Sequence, residues 1–389
     1  MNRKLSIISL CFCLILCGCI TEYEPTGVEE LADILVVEGI ITDDETTITL
    51  SRSLSLSGES GYSSSSPLYV DNAEVYVECD DGTQFLADLF AISRNGKYTI
   101  KTGKLNPERK YRLKIEIEEM DYNSGDCQLD VWGGITCPTK TCEYSSDFAY
   151  PIITPEIDSI FWTKRGRGQP VNIHVATHSP NFEVLYYRWS YKEDWEVNST
   201  YYLVNYPFYC WGSGGSRELL LGSAEKTVFG RVMDRLIEMS PSDRKLSVLY
   251  RIDVKQNVIS KRAYDYFANI KKNAELSGSI FAPVPSELRG NITCTTDQDR
   301  PVIGYVDIST TTQKLRYIRS WEVYERPRSD CDLVPRDSLL KWYNGEIPDH
   351  YVVYPEPPPS APVETYVPIQ CVDCSYYATA RKPDDWPNN

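Results

Sequence analysis

Cysteine is the residue type with most chemistry to offer in this chain, and thirteen are present. Cys19 closes the run Leu16-Cys17-Gly18-Cys19, directly after an apolar stretch from Leu5 to Leu16 and a positive start at Arg3 and Lys4. A thiol at that place, behind a small residue, fits cleavage before Cys19 and acylation of its thiol and new amine. The apolar core is short of the ~20 residues that a membrane helix needs. Two or more acyl chains anchor a protein stably where one does not. Residues 1–18 therefore read as a lipoprotein signal peptide, and the mature chain as lipid-anchored outside the cytoplasm.

Nine cysteines follow Cys19. In an oxidising compartment they are expected to form disulfides in preference to metal sites. The candidates are Cys127, Cys137, Cys142, Cys210, Cys294, Cys331, Cys371 and Cys374, with Cys79 making the number odd. At least one thiol therefore has no partner within the chain. Cys127, Cys137 and Cys142 lie close enough in sequence to share one bridge. Cys371-Val372-Asp373-Cys374 is a C-x-x-C, but zinc would need two more ligands, and His174, His178 and His350 are all remote in sequence. Each of its cysteines is expected to bridge elsewhere. The connectivity does not follow from spacing.

Other reaction chemistry leaves little trace. There is no nucleophile elbow, no H-E-x-x-H, no phosphate loop and no dinucleotide fingerprint. Gly212-Ser213-Gly214-Gly215 lacks a following lysine and reads as a hairpin tip. Asp297-Gln298-Asp299 is too short for a calcium loop. His174 and His178 share a face at even spacing, too far apart along a strand to chelate. No catalytic residue, metal or cofactor is expected. Most of the 28 tyrosines and 8 tryptophans follow strand propensity. The cluster Tyr206, Phe208, Tyr209 and Trp211 does not alternate cleanly, and it is the candidate ligand-binding surface. A net charge of −15 argues against nucleic acid as a partner.

The elements that must position these residues are mostly strands. Residues 19–32 are polar and acidic and read as a lipid tether. From Ile34 short runs alternate, and Tyr111–Ile117 does so strictly. Asp80-Asp81-Gly82 and Asn95-Gly96 mark turns, and Ser57–Pro67 a long loop. The fold class is mainly β. An N-terminal β-sandwich over 33–125, of prealbumin-like or carboxypeptidase-regulatory-like order, leads to a cysteine-containing linker over 126–154. A second, fibronectin- or immunoglobulin-like β-sandwich covers 155–330, with Trp189 a candidate core residue and Val302–Ile308 among its strands. Two helices are inserted in it. One covers Val228–Met239, with Val232, Leu236 and Met239 on one face. The other is capped by Ser260 and runs to about Asn273, turning Ala263, Tyr264, Phe267, Ile270 and Ala274 inward. Residues 331–389 form a proline- and tyrosine-rich tail.

Several motifs occur in one order: Leu35-Val36-Val37-Glu38-Gly39-Ile40, Ser260-x-x-Ala263-Tyr264-x-Tyr266, Gly278–Pro285, Gly290-Asn291-Ile292, Val302-Ile303-Gly304-Tyr305, and Cys371-x-x-Cys374 with Lys382-Pro383-x-x-Trp386. That series resembles the Bacteroidota lipoprotein family known as domain of unknown function 4249. Tyr376-Tyr377-Ala378 and Asp385 depart from its closing pattern. The resemblance implies an outer-membrane lipoprotein encoded beside a TonB-dependent transporter, and so an accessory or ligand-binding partner of it; the acidic residues after Cys19 resemble a surface-export signal of Bacteroidota lipoproteins, which implies that it faces outward. It assigns no catalytic residue and no ligand. A structural adhesin is the alternative, and an enzyme with an unrecognised site is the third reading.

Overall fold

The computed structural model describes residues 34–53, 68–88, 95–121, 126–129, 135–179, 181, 185–276, 290–326, 331–354 and 364–387. Cys19, the tether, the Ser57–Pro67 loop and Gly278–Pro285 lie outside these residues.

The first unit is built from β1 (Leu35–Ile41), β2 (Asp44–Arg52), β3 (Ala73–Cys79), β4 (Lys97–Gly103), β5 (Tyr111–Met120) and β6 (Thr139–Ser146). Period-two alternation makes each strand one-sided. In β5 Tyr111, Leu113, Ile115 and Ile117 are buried while the residues between them are not. Val75 and Tyr144 sit opposite Ile115 on the two neighbouring strands, so one buried row crosses the sheet. A second sheet supplies Leu35, Val37, Ile48 and Leu50 to the same core. Fully burying a side chain of this kind contributes about 1.5–3 kcal/mol. The Asn95-Gly96 turn is held by geometry: Gly96 has φ +66°, and a Cβ there would lie 2.2 Å from the Leu50 carbonyl oxygen.

The second unit contains β7 (Ile157–Thr163), β8 (Val171–His178), β9 (Tyr186–Asn198), β10 (Tyr209–Gly215), β11 (Leu220–Ser223), β12 (Arg231–Met239) and β13 (Leu249–Ile259), then α1 (Lys261–Leu276). The chain continues through β14 (Ile292–Cys294), β15 (Val302–Gly304), β16 (Asp307–Ile308) and β17 (Thr311–Arg319). One sheet has the order β7-β8-β12. It faces a five-stranded sheet of order β10-β9-β13-β17, in which β11 also pairs with β9. Trp189 is buried between them, parallel to Tyr187 at 5.6 Å, and its Nε1 donates to Gln256 Oε1 at 2.8 Å. Ser260 Oγ accepts from the Ala263 amide at 3.2 Å and caps α1. Ala263, Tyr266 and Phe267 are buried, whereas Ala274, expected inward, is exposed.

Four expectations change. The segment 228–239 is strand β12, preceded by a single 3₁₀ turn, and not the helix expected there. Its pairing with β8 slips between Ile173 and His174, leaving Leu236 as an extra residue. That bulge resets the alternation, so Val232, Leu236 and Met239 face inward at spacings of four and three, which imitate a helix. The stretch 126–154, read as a linker, contributes β6 to the first unit's sheet. β14 pairs with β6, and β15 and β16 run parallel to β1, so Ile292–Ile308 returns to the first unit. Asn291 holds this return: its Nδ2 donates to the Val306 carbonyl and its Oδ1 accepts from the Val306 amide, both at 2.8 Å. Finally, the glycines 212–215 lie within β10 and not at a tip. The C-terminal tail forms α2 (Arg336–Trp342), β18 (Tyr351–Tyr354) and β19 (Thr365–Pro368) around a small core.

Candidate functional site

The β9–β10 hairpin carries the aromatic cluster singled out in the sequence. Its register places Asn198 opposite Tyr209, Val197 opposite Cys210 and Glu196 opposite Trp211. The connecting loop is held to the C-terminal module at several points. Thr200 and Tyr201 amides both donate to the Cys371 carbonyl, at 2.8 and 2.9 Å. The Cys374 amide donates to the Pro207 carbonyl at 3.1 Å, and Trp211 and Thr379 exchange backbone bonds. Disulfides Cys210–Cys374 and Cys331–Cys371 complete the clamp. Both cysteines of the C-x-x-C thus bridge elsewhere in the chain.

From Tyr201 to Val204 the side chains still alternate inward and outward, and past Asn205 they do not. Tyr201, Leu203 and Tyr206 turn inward against Cys331, Val367, Cys371 and Val372. Tyr202, Val204 and Tyr209 stay outside, with 63%, 81% and 54% of their surface in water. Phe208 lies between the two exposed rings, edge-on to Tyr202 at 5.9 Å and to Tyr209 at 4.9 Å. Of the four aromatics expected as one surface, Tyr206 belongs to the small core. Trp211 belongs to the strand, with a buried Nε1 that has no hydrogen-bond partner among the described residues. Tyr202 joins the patch instead, through Phe208, and with Val204 it lies on the outward side of the alternation with Tyr201 and Leu203.

Behind the patch, β10 glycines make room for β9 side chains. A Cβ on Gly212 would sit 2.3 Å from the Trp195 ring, and one on Gly214 would be 2.7 Å from Glu193 Oε1. Glu193 is buried yet fully met: Lys245 Nζ and the Tyr250 hydroxyl each donate to it at 2.6 Å. Lys245 also stands 4.4 Å above the Trp195 ring. Burial, reinforced by Glu193, pushes the Tyr250 phenol well above its ordinary pKa. Satisfied in this way, the group is a structural knot and offers no free base.

On the outer face of β9, Arg251 bridges Asp194 and Asp385, both at 2.7 Å, while Trp386 Nε1 donates to Glu196 Oε2 at 3.0 Å. Burial works against the Arg251 charge, but Asp385 and Asp194 outweigh it and keep the guanidinium protonated. Asp385 is the residue that straps the tail here.

The remaining sequence candidates separate. His174 stacks on Phe161 at 5.2 Å and shares a hydrogen bond with Thr163 Oγ1, while His178 pairs with Asp158. Burial lowers the His174 pKa. Among the described residues no group of three or more His, Cys, Asp or Glu is placed to hold a metal. Cys127 bonds Cys137. Cys142 and Cys294, expected among the disulfides, are buried thiols, as is Cys79. Cys142 Sγ accepts from Arg300 Nη1 at 3.0 Å, beside Glu119, which also pairs with Arg52.

The family model described as Domain of unknown function (DUF4249) matches residues 20–131 and 135–315. The chain belongs to that family. The match includes the aromatic patch and stops short of the Cys371–Trp386 closing signature. Among curated proteins none matches. A solved structure of the chicken interferon gamma receptor alpha chain is similar over 59% of this chain and 90% of that one, at 7% identity and a TM-score of 0.15. That likeness is too low to carry an argument. Among the described residues no helix is long and apolar enough to cross a membrane.

Proposed function

We propose that the mature protein is a non-enzymatic lipoprotein of the outer membrane, anchored through Cys19 and facing outward, that serves as an accessory, ligand-binding partner of a TonB-dependent transporter. The observation that carries this reading is the Tyr202–Phe208–Tyr209 cluster, exposed yet fixed by two disulfides. Fixed aromatic rings lose little conformational entropy on contact, and tyrosine is enriched where proteins meet. The mechanism is capture: the rings bury against a partner, and no bond is made or broken. The acidic tether sequence after Cys19 is consistent with a body held off a membrane of like charge.

The test is an affinity pull-down of the lipidated protein from native outer membranes, read by mass spectrometry. A stoichiometric TonB-dependent transporter, lost when Tyr202 and Tyr209 are changed to Ser, supports the reading. Recovery of the protein alone or as a homopolymer refutes it, and a homopolymer supports the adhesin.

A further inference from the structure

A cavity of about 390 Å³ lies where α1, the β9–β11 edge and β1 converge. Arg188 of β9 points into it, with its guanidinium 4.8 Å from the Phe267 ring centroid. The residue is half-buried, and burial lowers its pKa, only partly opposed by the more distant Glu38. Arg52, Arg112, Arg251 and Arg300 are also withdrawn, and each contacts a carboxylate directly. The Arg188 guanidinium makes no hydrogen bond or ion pair with a described residue, and it lies over the Phe267 face. Five donors in a low-dielectric crevice without an acceptor are costly, and a carboxylate is the group that fits their fork. The Tyr266 hydroxyl, buried in the same lining, donates to no described residue, and the Gly304 amide lies against it. The remaining wall is apolar, with Val36, Leu219 and Ile270 beside the Phe267 ring.

The geometry points to a binding site for a small organic acid with an apolar body. Arg188 takes the carboxylate, the Tyr266 hydroxyl stands ready as a further donor, and Phe267, Ile270 and Leu219 cover the body. Glu38 and Glu218 also line the crevice, outnumber Arg217 there, and disfavour a second negative charge on the ligand. A monoanion therefore suits the crevice better than a polyanion. This site is separate from the aromatic patch and does not rest on the transporter reading.

The probe is 3-phenylpropionate, titrated calorimetrically into the soluble mature chain with Cys19 replaced by Ser. A ligand of this size with one charged anchor is expected to bind with a dissociation constant of about 1 mM. Arg188→Met keeps the stem and should weaken binding at least about tenfold, whereas Arg188→Lys should restore part of it. Arg188→Met should also melt no lower than the parent, because it removes an unpaired buried charge. Should Arg188→Met fail to fold, Arg188→Lys and a Leu219→Trp filling of the crevice provide the same comparison. No heat of binding overturns the site, and so does binding that these variants leave unchanged. Equal affinity for sulfate and 3-phenylpropionate overturns the ligand class. None of these results bears on the pull-down, which reads a different surface.

Discussion

Reducing the two C-terminal disulfides should release one part of the molecule and leave the rest folded. The C-terminal module has a small core: Val367, Cys371, Val372 and Cys331 are buried, and half-buried side chains such as Tyr201 and Tyr206 surround them. So little apolar burial rarely offsets the entropy of ordering a segment of this length. The bridges make up the difference. Closing the 40-residue separation of Cys331 and Cys371 removes about 4 kcal/mol of unfolded-chain freedom, and the 164-residue separation of Cys210 and Cys374 about 5 kcal/mol. Neither bridge enters the cores of the two sandwiches, whose buried clusters contain none of these four cysteines. The perturbation is the double variant Cys371→Ser, Cys374→Ser. The assay is hydrogen exchange with limited proteolysis. The amides of Thr200, Tyr201, Thr379 and the serine replacing Cys374 should lose protection, and cleavage should concentrate in 331–389. Strands β5, β8 and β13 should keep their protection. Unchanged protection of those four amides would refute the reasoning, and so would cooperative loss of both sandwiches. The same variant should disperse the Tyr202–Tyr209 patch and abolish any partner captured through it.

Other perturbations follow from single contacts. Glu119→Gln removes the carboxylate shared by Arg52 and Arg300 and should cost about 3–5 kcal/mol in denaturant titration. Burial works to raise the Glu119 pKa, but the two arginines outweigh it and hold it below the usual range. That stability is therefore present above the unfolded value of about 4.3 and is lost as pH falls through the lower folded value. A parent protein whose stability does not fall faster than that of Glu119→Gln in acid would contradict this. Gly212→Val drives a side chain into the Trp195 ring and should lower stability by about 1–3 kcal/mol, with a change in tryptophan fluorescence. Asp385→Asn should free the tail around Trp386, read as faster exchange of its indole proton, with the sandwiches unchanged. Cys79 and Cys142, buried with pKa values pushed up by desolvation, should resist iodoacetamide until the protein unfolds.

Elements whose local pattern agreed with their final partners were legible in the sequence. β5 alternates because one face meets a core and the other meets water, and α1 shows its cap and its inward face directly. β12 was not legible, because a bulge opposite Ile173 and His174 broke the only signal a strand gives. Unit boundaries were misread for a related reason. Ile292–Ile308 consists of strands of two or three residues whose pairing is with β1 and β6, more than a hundred residues earlier in the chain. Local composition cannot encode a return of that range; what marks it is Asn291, whose amide carries both bonds to Val306.

The candidate surfaces show the same division. Tyr206, Phe208, Tyr209 and Trp211 drew notice because they break alternation, and the break is real: the loop leaves the sheet to join another module. Composition could not say which rings that junction would consume. A covalent clamp decides it, turning Tyr201 and Tyr206 inward and leaving Tyr202 and Tyr209 in water. Arg188 was invisible for the opposite reason. Within β9 it sits in regular alternation between Tyr186 and Ser190, as any solvent-facing arginine would. Only the arrival of α1 and β1 over that face half-buries it without a direct carboxylate contact. Four comparable arginines each meet a carboxylate, whereas Arg188 meets only a ring face, and a ligand carboxylate would remove that asymmetry.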